Sequence, residues 1–297
     1  MPLTDLYEAA SPCVVGFMSR VVTAPVGEPP PPFPGIIGTG FLVTNDGVVA
    51  TNRHMVEALW ELPRIPETGE RAGGALIFMV SEDKLGGQIL NLKIRDVAAL
   101  QGFSSGKDWY GQNVPDVGFV QLEITGTPFL ELAVEDFAIK PGMEISTIGY
   151  PLGTQPLIYE GKVNQLGPFI RRGIVSSVYP FSSPQPHGFT IDIMQQGGSS
   201  GSPIFAGDSP RVVGMMWGGV LEPRLAQSAT MSLTYTLNTN ISIAEPADIV
   251  NDALTKYLSQ RRPLDPSILS LQQLREKYPR PEETTGFKWS MNPFDLS

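Results

Sequence analysis

The stretch Gln195-Gln196-Gly197-Gly198-Ser199-Ser200-Gly201-Ser202-Pro203-Ile204-Phe205 places two serines inside a cluster of glycines and follows them with β-branched and aromatic residues. Glycine lets a backbone turn through positive φ and lets its N–H groups come close to a ligand. A serine hydroxyl on such a turn can act as a nucleophile when a base lies nearby. The N–H groups of the turn can then stabilise the oxyanion that the attack creates. The alternative is an ordinary glycine- and serine-rich loop between two strands.

The order of residues along the chain decides which serine is the candidate nucleophile. In one register Ser199 is the centre of a G-x-S-x-G turn, as in α/β-hydrolases, where the catalytic histidine follows the serine. Both histidines of this chain, His54 and His187, precede the serines, which disfavours an esterase or acyltransferase of that fold. In the other register Ser200 is the nucleophile, and a histidine and then an aspartate must lie upstream.

Two upstream segments supply a histidine and an aspartate in that order. Asp46-Gly47 lies between two β-rich runs, which predicts a hairpin whose second strand ends at His54. Asp116 opens an alternating strand that extends to Leu122. Asp96 is the alternative acid because Val97-Ala98-Ala99-Leu100 follows it, whereas other aspartates between base and nucleophile open no equally regular strand, Asp108 and Asp136 among them.

These segments resemble those of trypsin-like serine peptidases, and they are most similar to the protease domain of bacterial HtrA-type enzymes. The resemblance rests on five segments in the family's order: Gly38–His54, Asp116–Leu122, Pro141–Gly153, Arg172–Val178 and Gly198–Pro203. The chain departs from the family pattern at Arg53 and Met55, beside the histidine. It also has Ser199 where family members matured by cleavage have an aspartate that pairs with a new N-terminus, so activation of that kind is not expected.

The resemblance implies an all-β fold of two antiparallel six-stranded barrels, the first over about residues 8–125 and the second over about 136–245. A closing helix over about 247–260 would complete a peptidase domain of residues 1–262. Residues 263–297 would form a C-terminal helical extension and tail, too short for a PDZ domain. The 28 prolines and 31 glycines of the chain agree with this, because frequent turns suit many short strands.

The resemblance also implies a serine endopeptidase that works through an acyl-enzyme. His54 would take the proton of Ser200, and Asp116 would orient the imidazole. The N–H groups of Gly198 and Ser200 would form the oxyanion hole. The alternative is a catalytically inactive peptide-binding module on the same fold.

The family alignment also predicts four substrate-binding residues around a specificity pocket: Met194 at the base, and Met216, Trp217 and Gly218 on the walls. An apolar base disfavours Lys or Arg side chains, because a buried charge without a partner is costly. We therefore expect the pocket to prefer small or medium apolar side chains.

Composition limits the partners of the chain. The net charge is −9 and no long basic run occurs, which argues against nucleic acid or an anionic membrane as the main partner. A peptide or protein substrate is expected, no cofactor or metal is required, and the oligomeric state stays open. The N-terminus has no basic start followed by an apolar run, so no signal peptide is predicted. That favours the cytoplasm, with a secreted or periplasmic location as the alternative if a signal was removed.

Three further features receive structural interpretations. Cys13 is the only cysteine, so no intrachain disulfide can form, and a small core residue on a first strand over Ser11–Met18 is expected. His187 lies in a turn-rich loop and is predicted to be exposed, with substrate contact as the alternative. Residues 25–34 contain six prolines and predict an exposed extended loop.

Overall fold

The computed structural model describes residues 1–20, 35–80, 86–102, 114–134, 137–153, 158–159, 162–163, 167–181, 183, 186–207, 209–227, 232–278 and 288–291. The proline-rich loop predicted for residues 25–34 lies outside the described residues, as do Asp108 and Asp136. In the described part of the chain, none of the helices combines the length and the apolar character needed to span a membrane.

The first half of the chain forms a closed antiparallel barrel. Helix α1 (Leu3–Ala10) precedes its six strands: β1 (Val14–Ser19), β2 (Ile36–Leu42), β3 (Val48–Thr51), β4 (Gly73–Val80), β5 (Gly86–Ala99) and β6 (Gly118–Leu122). The strand order is β5-β4-β1-β2-β3-β6, and pairing of β5 with β6 closes the sheet. The hairpin predicted at Asp46-Gly47 joins β2 to β3, and Gly47 has a φ of 82° that favours glycine.

The second half forms a second closed barrel. Its strands are β7 (Glu144–Gly149), β10 (Phe169–Tyr179), β11 (Gly188–Ile191), β12 (Pro203–Ala206), β13 (Val212–Gln227) and β14 (Ser232–Pro246). They follow the order β10-β11-β14-β13-β12-β7, and β8 (Ile158–Tyr159) pairs separately with β9 (Lys162–Val163). The prediction of two six-stranded antiparallel barrels is therefore confirmed.

The start of the chain differs slightly from the prediction. Ser11–Cys13 forms a 3₁₀ turn, and β1 begins at Val14, because Pro12 has no N–H to donate to a strand ladder. Cys13 is 2% exposed, and burial raises the pKa of its thiol to about 12. The prediction that Cys13 is a core residue is confirmed.

The C-terminal elements return to the first barrel. Two helices, α3 (Ala247–Gln260) and α4 (Leu271–Lys277), follow β14. The earlier helix α2 (Arg53–Glu61) lies between β3 and β4. The apolar face of α3 belongs to the first-barrel core, and the ring of Tyr257 stacks on that of Phe119 with centroids 5.2 Å apart. Strand β15 (Lys288–Met291) pairs in parallel with β5, so the predicted tail contributes an edge strand.

Candidate active site

Asp116 is the most completely bonded residue of the site. It is 4% exposed, and its carboxylate binds His54 twice, with Oδ2 at 2.5 Å from the ring Nδ1 and Oδ1 accepting the backbone N–H at 3.0 Å. The Asn52 side-chain amide donates to the Asp116 carbonyl at 2.9 Å, and Glu245 Oε1 accepts the Asp116 N–H at 2.8 Å. These four contacts fix both the carboxylate and the imidazole that it orients.

His54 lies in the first turn of α2, which corrects the prediction that it ends a strand. Strand β3 ends at Thr51, and Asn52 is the N-cap residue but makes no side-chain cap. The Asp116 carboxylate supplies the missing acceptor, because it receives the His54 N–H at the positive end of the helix. The helix start was missed because its cap comes from a distant part of the chain.

Ser200 lies on the loop between β11 and β12, and this loop docks on the first barrel. Thr39 of β2 donates its N–H to the Ser200 carbonyl at 2.9 Å and its hydroxyl to the Gly198 carbonyl at 2.6 Å. Gly198 and Gly201 have φ values of 88° and 83°, and a Cβ at Gly201 would lie 1.9 Å from the Thr39 carbonyl oxygen. Glycine is therefore required where the loop meets the other barrel.

The N–H groups predicted to form an oxyanion hole are available. Within the described residues, the N–H groups of Gly198 and Ser200 donate to no protein acceptor, whereas the Ser199 N–H donates to Gln196 and the Gly201 N–H to Met216. Two free donors two residues apart on a tight turn can bind one developing negative oxygen. Their role in catalysis stays a prediction.

Gln195 contacts the Ser200 hydroxyl and was not among the predicted site residues. Its side-chain Nε2 donates to Ser200 Oγ at 3.1 Å and lies 3.4 Å from the Trp217 carbonyl oxygen. The hydrogen bonds between described residues include none that joins His54 to Ser200. The predicted proton transfer from Ser200 to His54 therefore requires the hydroxyl to turn away from Gln195, a rearrangement compatible with the loose geometry of unliganded sites.

Arg171 of β10 holds both ends of the segment that contains Gln195. Its guanidinium donates to the Met194 carbonyl at 2.6 Å and to the fully buried Ser199 hydroxyl at 3.2 Å. Burial lowers the pKa of Arg171 from its ordinary value, yet a guanidinium stays charged at physiological pH. Arg171 thus supports the nucleophile loop on both sides of Gln195.

The predicted substrate-binding residues separate into two groups. Met194 is 36% exposed, and Trp217 and Gly218 are partly exposed on β13. Met216, in contrast, is fully buried in the second-barrel core, and its backbone N–H and carbonyl bond Ser202 and Gly201. The prediction that Met216 contacts substrate is therefore wrong, because alternation along β13 turns its side chain inward.

Gly219 of β13 lies beside the Gln195 side chain. A Cβ added at Gly219 would lie 2.8 Å from Gln195 Oε1, so the Gln195 side chain packs against this part of β13. The sequence prediction did not include this contact between Gln195 and β13.

Two other candidates have no place in the site. Asp96, the alternative acid, is exposed on β5, where its carboxylate accepts the N–H of Val97. His187 is half-buried rather than exposed, and its N–H donates to the Tyr179 carbonyl at 2.8 Å.

Glu245 is a buried acid that sequence reasoning missed. It is 5% exposed, and burial raises the pKa of its carboxyl to about 7. Asp116 raises this pKa further, whereas Arg53 and the hydrogen bond from the Asp116 N–H lower it. The signal available in the sequence is one charged residue inside the otherwise uncharged run Asn240–Pro246.

The chain is similar to known peptidases. A family model described as the trypsin-like peptidase domain matches residues 38–215, a range that contains His54, Asp116 and Ser200. HhoB of Synechocystis sp., which carries the name of a serine protease, is 28% identical over 145 residues. That match covers 48% of this chain and 27% of HhoB, so the matched region spans about a quarter of the relative's length.

Solved structures give the same fold. The HtrA-type protease AlgW with a decapeptide has a TM-score of 0.50 and 13% identity, covering 88% of this chain and 68% of that chain. A variant of AlgW with a tripeptide has a TM-score of 0.50 and 12% identity, covering 88% of this chain and 64% of that chain.

Proposed function

The chain belongs to the trypsin-like peptidase family, and we propose that it is a serine endopeptidase that cleaves peptide bonds in protein substrates through an acyl-enzyme. The observation that carries the proposal is the double contact of the Asp116 carboxylate with the ring and backbone of His54. Such a contact orients the imidazole toward the cleft in which the Ser200 loop lies and fixes the tautomer with hydrogen on Nδ1.

The proposed reaction has two stages. His54 Nε2 takes the proton of Ser200 as Oγ forms a bond to the scissile carbonyl carbon, and the imidazolium gives that proton to the leaving nitrogen as the C–N bond breaks. In the second stage His54 takes a proton from water as the water oxygen bonds to the ester carbon, and the imidazolium returns that proton to Ser200 Oγ as the C–Oγ bond breaks and the carboxylic acid product leaves. The carbonyl oxygen carries the negative charge in both stages, facing the N–H groups of Gly198 and Ser200.

The substrate preference follows from the residues around the pocket. Met194, Trp217 and Gly218 present no acid, and the Arg171 guanidinium lies against the Met194 carbonyl. A substrate Lys or Arg would lose hydration beside a fixed positive charge and gain no carboxylate partner. We expect cleavage after Val, Ala or Leu to exceed cleavage after Arg by about a hundredfold in kcat/KM, which corresponds to roughly 3 kcal/mol. Competition between matched peptides that differ only at this residue measures the ratio, and faster cleavage after Arg would contradict the pocket assignment.

The proposed activity is tested by peptide-library cleavage with two matched variants. Ser200→Ala should lose on the order of 10⁴-fold in kcat. Ser199→Ala should retain most of the activity, because the Ser199 hydroxyl is buried away from substrate and Arg171 keeps its hydrogen bond to the Met194 carbonyl. Unchanged hydrolysis by Ser200→Ala would overturn the assignment.

One observation favours an inactive peptide-binding module as the second candidate. The Ser200 hydroxyl is bonded to Gln195 rather than to His54. If Gln195 holds the hydroxyl permanently, the wild type should bind peptides without cleaving them, and Gln195→Ala should gain hydrolysis because the hydroxyl is then free to turn to His54.

A further inference from the structure

Glu245 contacts the proposed catalytic acid, Asp116, through the backbone N–H of that residue. It lies on β14 opposite Met215 of β13, and it is 5% exposed. Its Oε1 accepts the Asp116 N–H at 2.8 Å, which joins the second barrel to the residue that binds His54. A buried carboxyl at a position that an apolar side chain would fill at less cost calls for a functional reason.

Three elements present charged or titratable groups to Glu245. Asp116 precedes β6, Arg53 begins α2, and Tyr179 ends β10. Burial has the largest effect on the carboxyl and raises its pKa to about 7, with Asp116 adding to the rise and Arg53 opposing it. Glu245 therefore changes its charge near neutral pH while it stays bonded to Asp116.

We propose that Glu245 is a positioning residue for Asp116 whose ionisation adds a second negative charge behind the Asp116–His54 pair. The inference rests on the proposed function. The added charge stabilises the imidazolium that forms when His54 takes the Ser200 proton. Protonation on the other oxygen leaves Oε1 able to accept the Asp116 N–H, so the geometry persists and only the charge is lost.

The effect of the charge is separable from the effect of the hydrogen bond. Glu245→Gln keeps an acceptor oxygen and removes the charge. We expect it to lower kcat by about three- to tenfold at pH 9, where a buried unit charge acts at an effective dielectric constant near 20, with KM unchanged. At pH 5.5, where the wild-type carboxyl is protonated, the two enzymes should have equal rates.

The test is the ratio of wild-type to Glu245→Gln kcat between pH 5.5 and 9. The ratio should rise from about 1 to its full value with a midpoint near pH 7. Glu222→Gln is the matched control, because Glu222 lies on β13 with its side chain 48% exposed and paired with Arg224. The ratio of wild-type to Glu222→Gln kcat should stay at 1 over the whole pH range. A ratio for Glu245→Gln that does not depend on pH would overturn the inference while leaving the proposed function intact.

A second readout does not depend on activity. With ¹³C-labelled glutamate, the carboxyl signal of Glu245 in the wild type should titrate near pH 7, and the Asp116 amide signal should shift in the same step. If the wild type cleaves no peptide but shows this joint step, the proposed function fails and the hold of Glu245 on Asp116 stands. If the Asp116 amide signal does not shift when Glu245 titrates, the positioning role is wrong, whether or not the protein cleaves peptides. This readout uses the wild type only, so it remains usable if Glu245→Gln does not fold.

Discussion

At the scale of single residues, Glu245 links the active site to the stability of the protein. An unfolded glutamate titrates near 4.5, whereas burial raises the pKa of Glu245 to about 7. Between these values the native state binds more protons than the unfolded state, so this group makes the free energy of unfolding fall as pH rises. The destabilisation caused by the buried Glu245 carboxylate is absent below pH 4.5 and fully present above pH 7.

Glu245→Gln should therefore stabilise the protein at high pH only. The expected gain in the free energy of unfolding at pH 8 is up to about 3 kcal/mol, and it should vanish at pH 4. Urea unfolding at the two pH values measures the difference. A gain of equal size at both pH values would mean that the carboxyl does not change its charge in this range.

The residue scale also separates what the sequence could predict from what it could not. His54, Asp116 and Ser200 could be put forward as candidates because each lies in a local pattern that its neighbours define. Arg171 and Glu245 act through partners that are distant along the chain, and no local sequence pattern predicts those contacts. The contact of Gln195 with Ser200 lies within one loop, but it depends on how that loop folds. Met216 was misassigned because neighbouring side chains of β13 point to opposite faces. An alignment error of one residue therefore places a side chain of the barrel core on the pocket wall.

At the scale of elements, β10 supports the nucleophile loop through Arg171. The guanidinium bonds the Met194 carbonyl and the Ser199 hydroxyl, so it fixes the loop on both sides of Gln195. Arg171→Met should misplace the donors at Gly198 and Ser200 and lower kcat by about 10- to 100-fold.

The neighbouring arginine on β10 provides the control for this prediction. The Arg172 side chain is 55% exposed and pairs with Glu144, so Arg172→Met should leave kcat within about twofold, because exposed ion pairs contribute little. Peptide hydrolysis and near-ultraviolet circular dichroism should be measured for both variants. Equal loss of activity in the two variants would contradict a specific role for Arg171.

Two elements show why local sequence patterns were incomplete. Helix α2 begins at Arg53 because Asp116 caps it from another segment, and the sequence around His54 alone favoured a strand end. Strand β15 pairs with β5 far earlier in the chain, whereas its short sequence predicted only a tail. The hairpin at Asp46-Gly47 was predictable because both of its strands and its turn are contiguous.

At the scale of the whole molecule, the site exists only where the two barrels meet. Thr39 holds the Ser200 loop, and Glu245 holds Asp116. Helix α3 adds a second connection, since it follows the last strand of the second barrel and packs on the first-barrel core. Arg261, just after α3, donates to Asp46 at 2.5 Å and to the Gln121 side chain at 2.9 Å.

Arg261→Met should weaken this connection. Although burial opposes ionisation of Asp46, the hydrogen bond and charge of Arg261 hold its pKa below the ordinary value of 3.8. The pair therefore stabilises the protein above that pH, and the contribution is lost as pH falls through the native pKa. We expect a loss of about 1–2 kcal/mol at pH 7 and a smaller loss at pH 2.5.

Arg262→Met is the control for this prediction, because Arg262 is exposed next to Arg261. Thermal unfolding of the wild type and both variants at the two pH values measures the effect. A loss for Arg261→Met that is the same at both pH values would exclude Asp46 as the partner that matters.

The central claim is that Ser200, activated by His54 and Asp116, is the nucleophile of a peptidase. The most direct measurement is reaction with a fluorophosphonate, followed by mass spectrometry of the modified chain, for the wild type, Ser199→Ala, Ser200→Ala and His54→Ala. We expect one adduct, on Ser200, in the wild type and in Ser199→Ala, and no adduct in the other two variants. An adduct on Ser199, or none in a folded wild-type protein, would contradict the account.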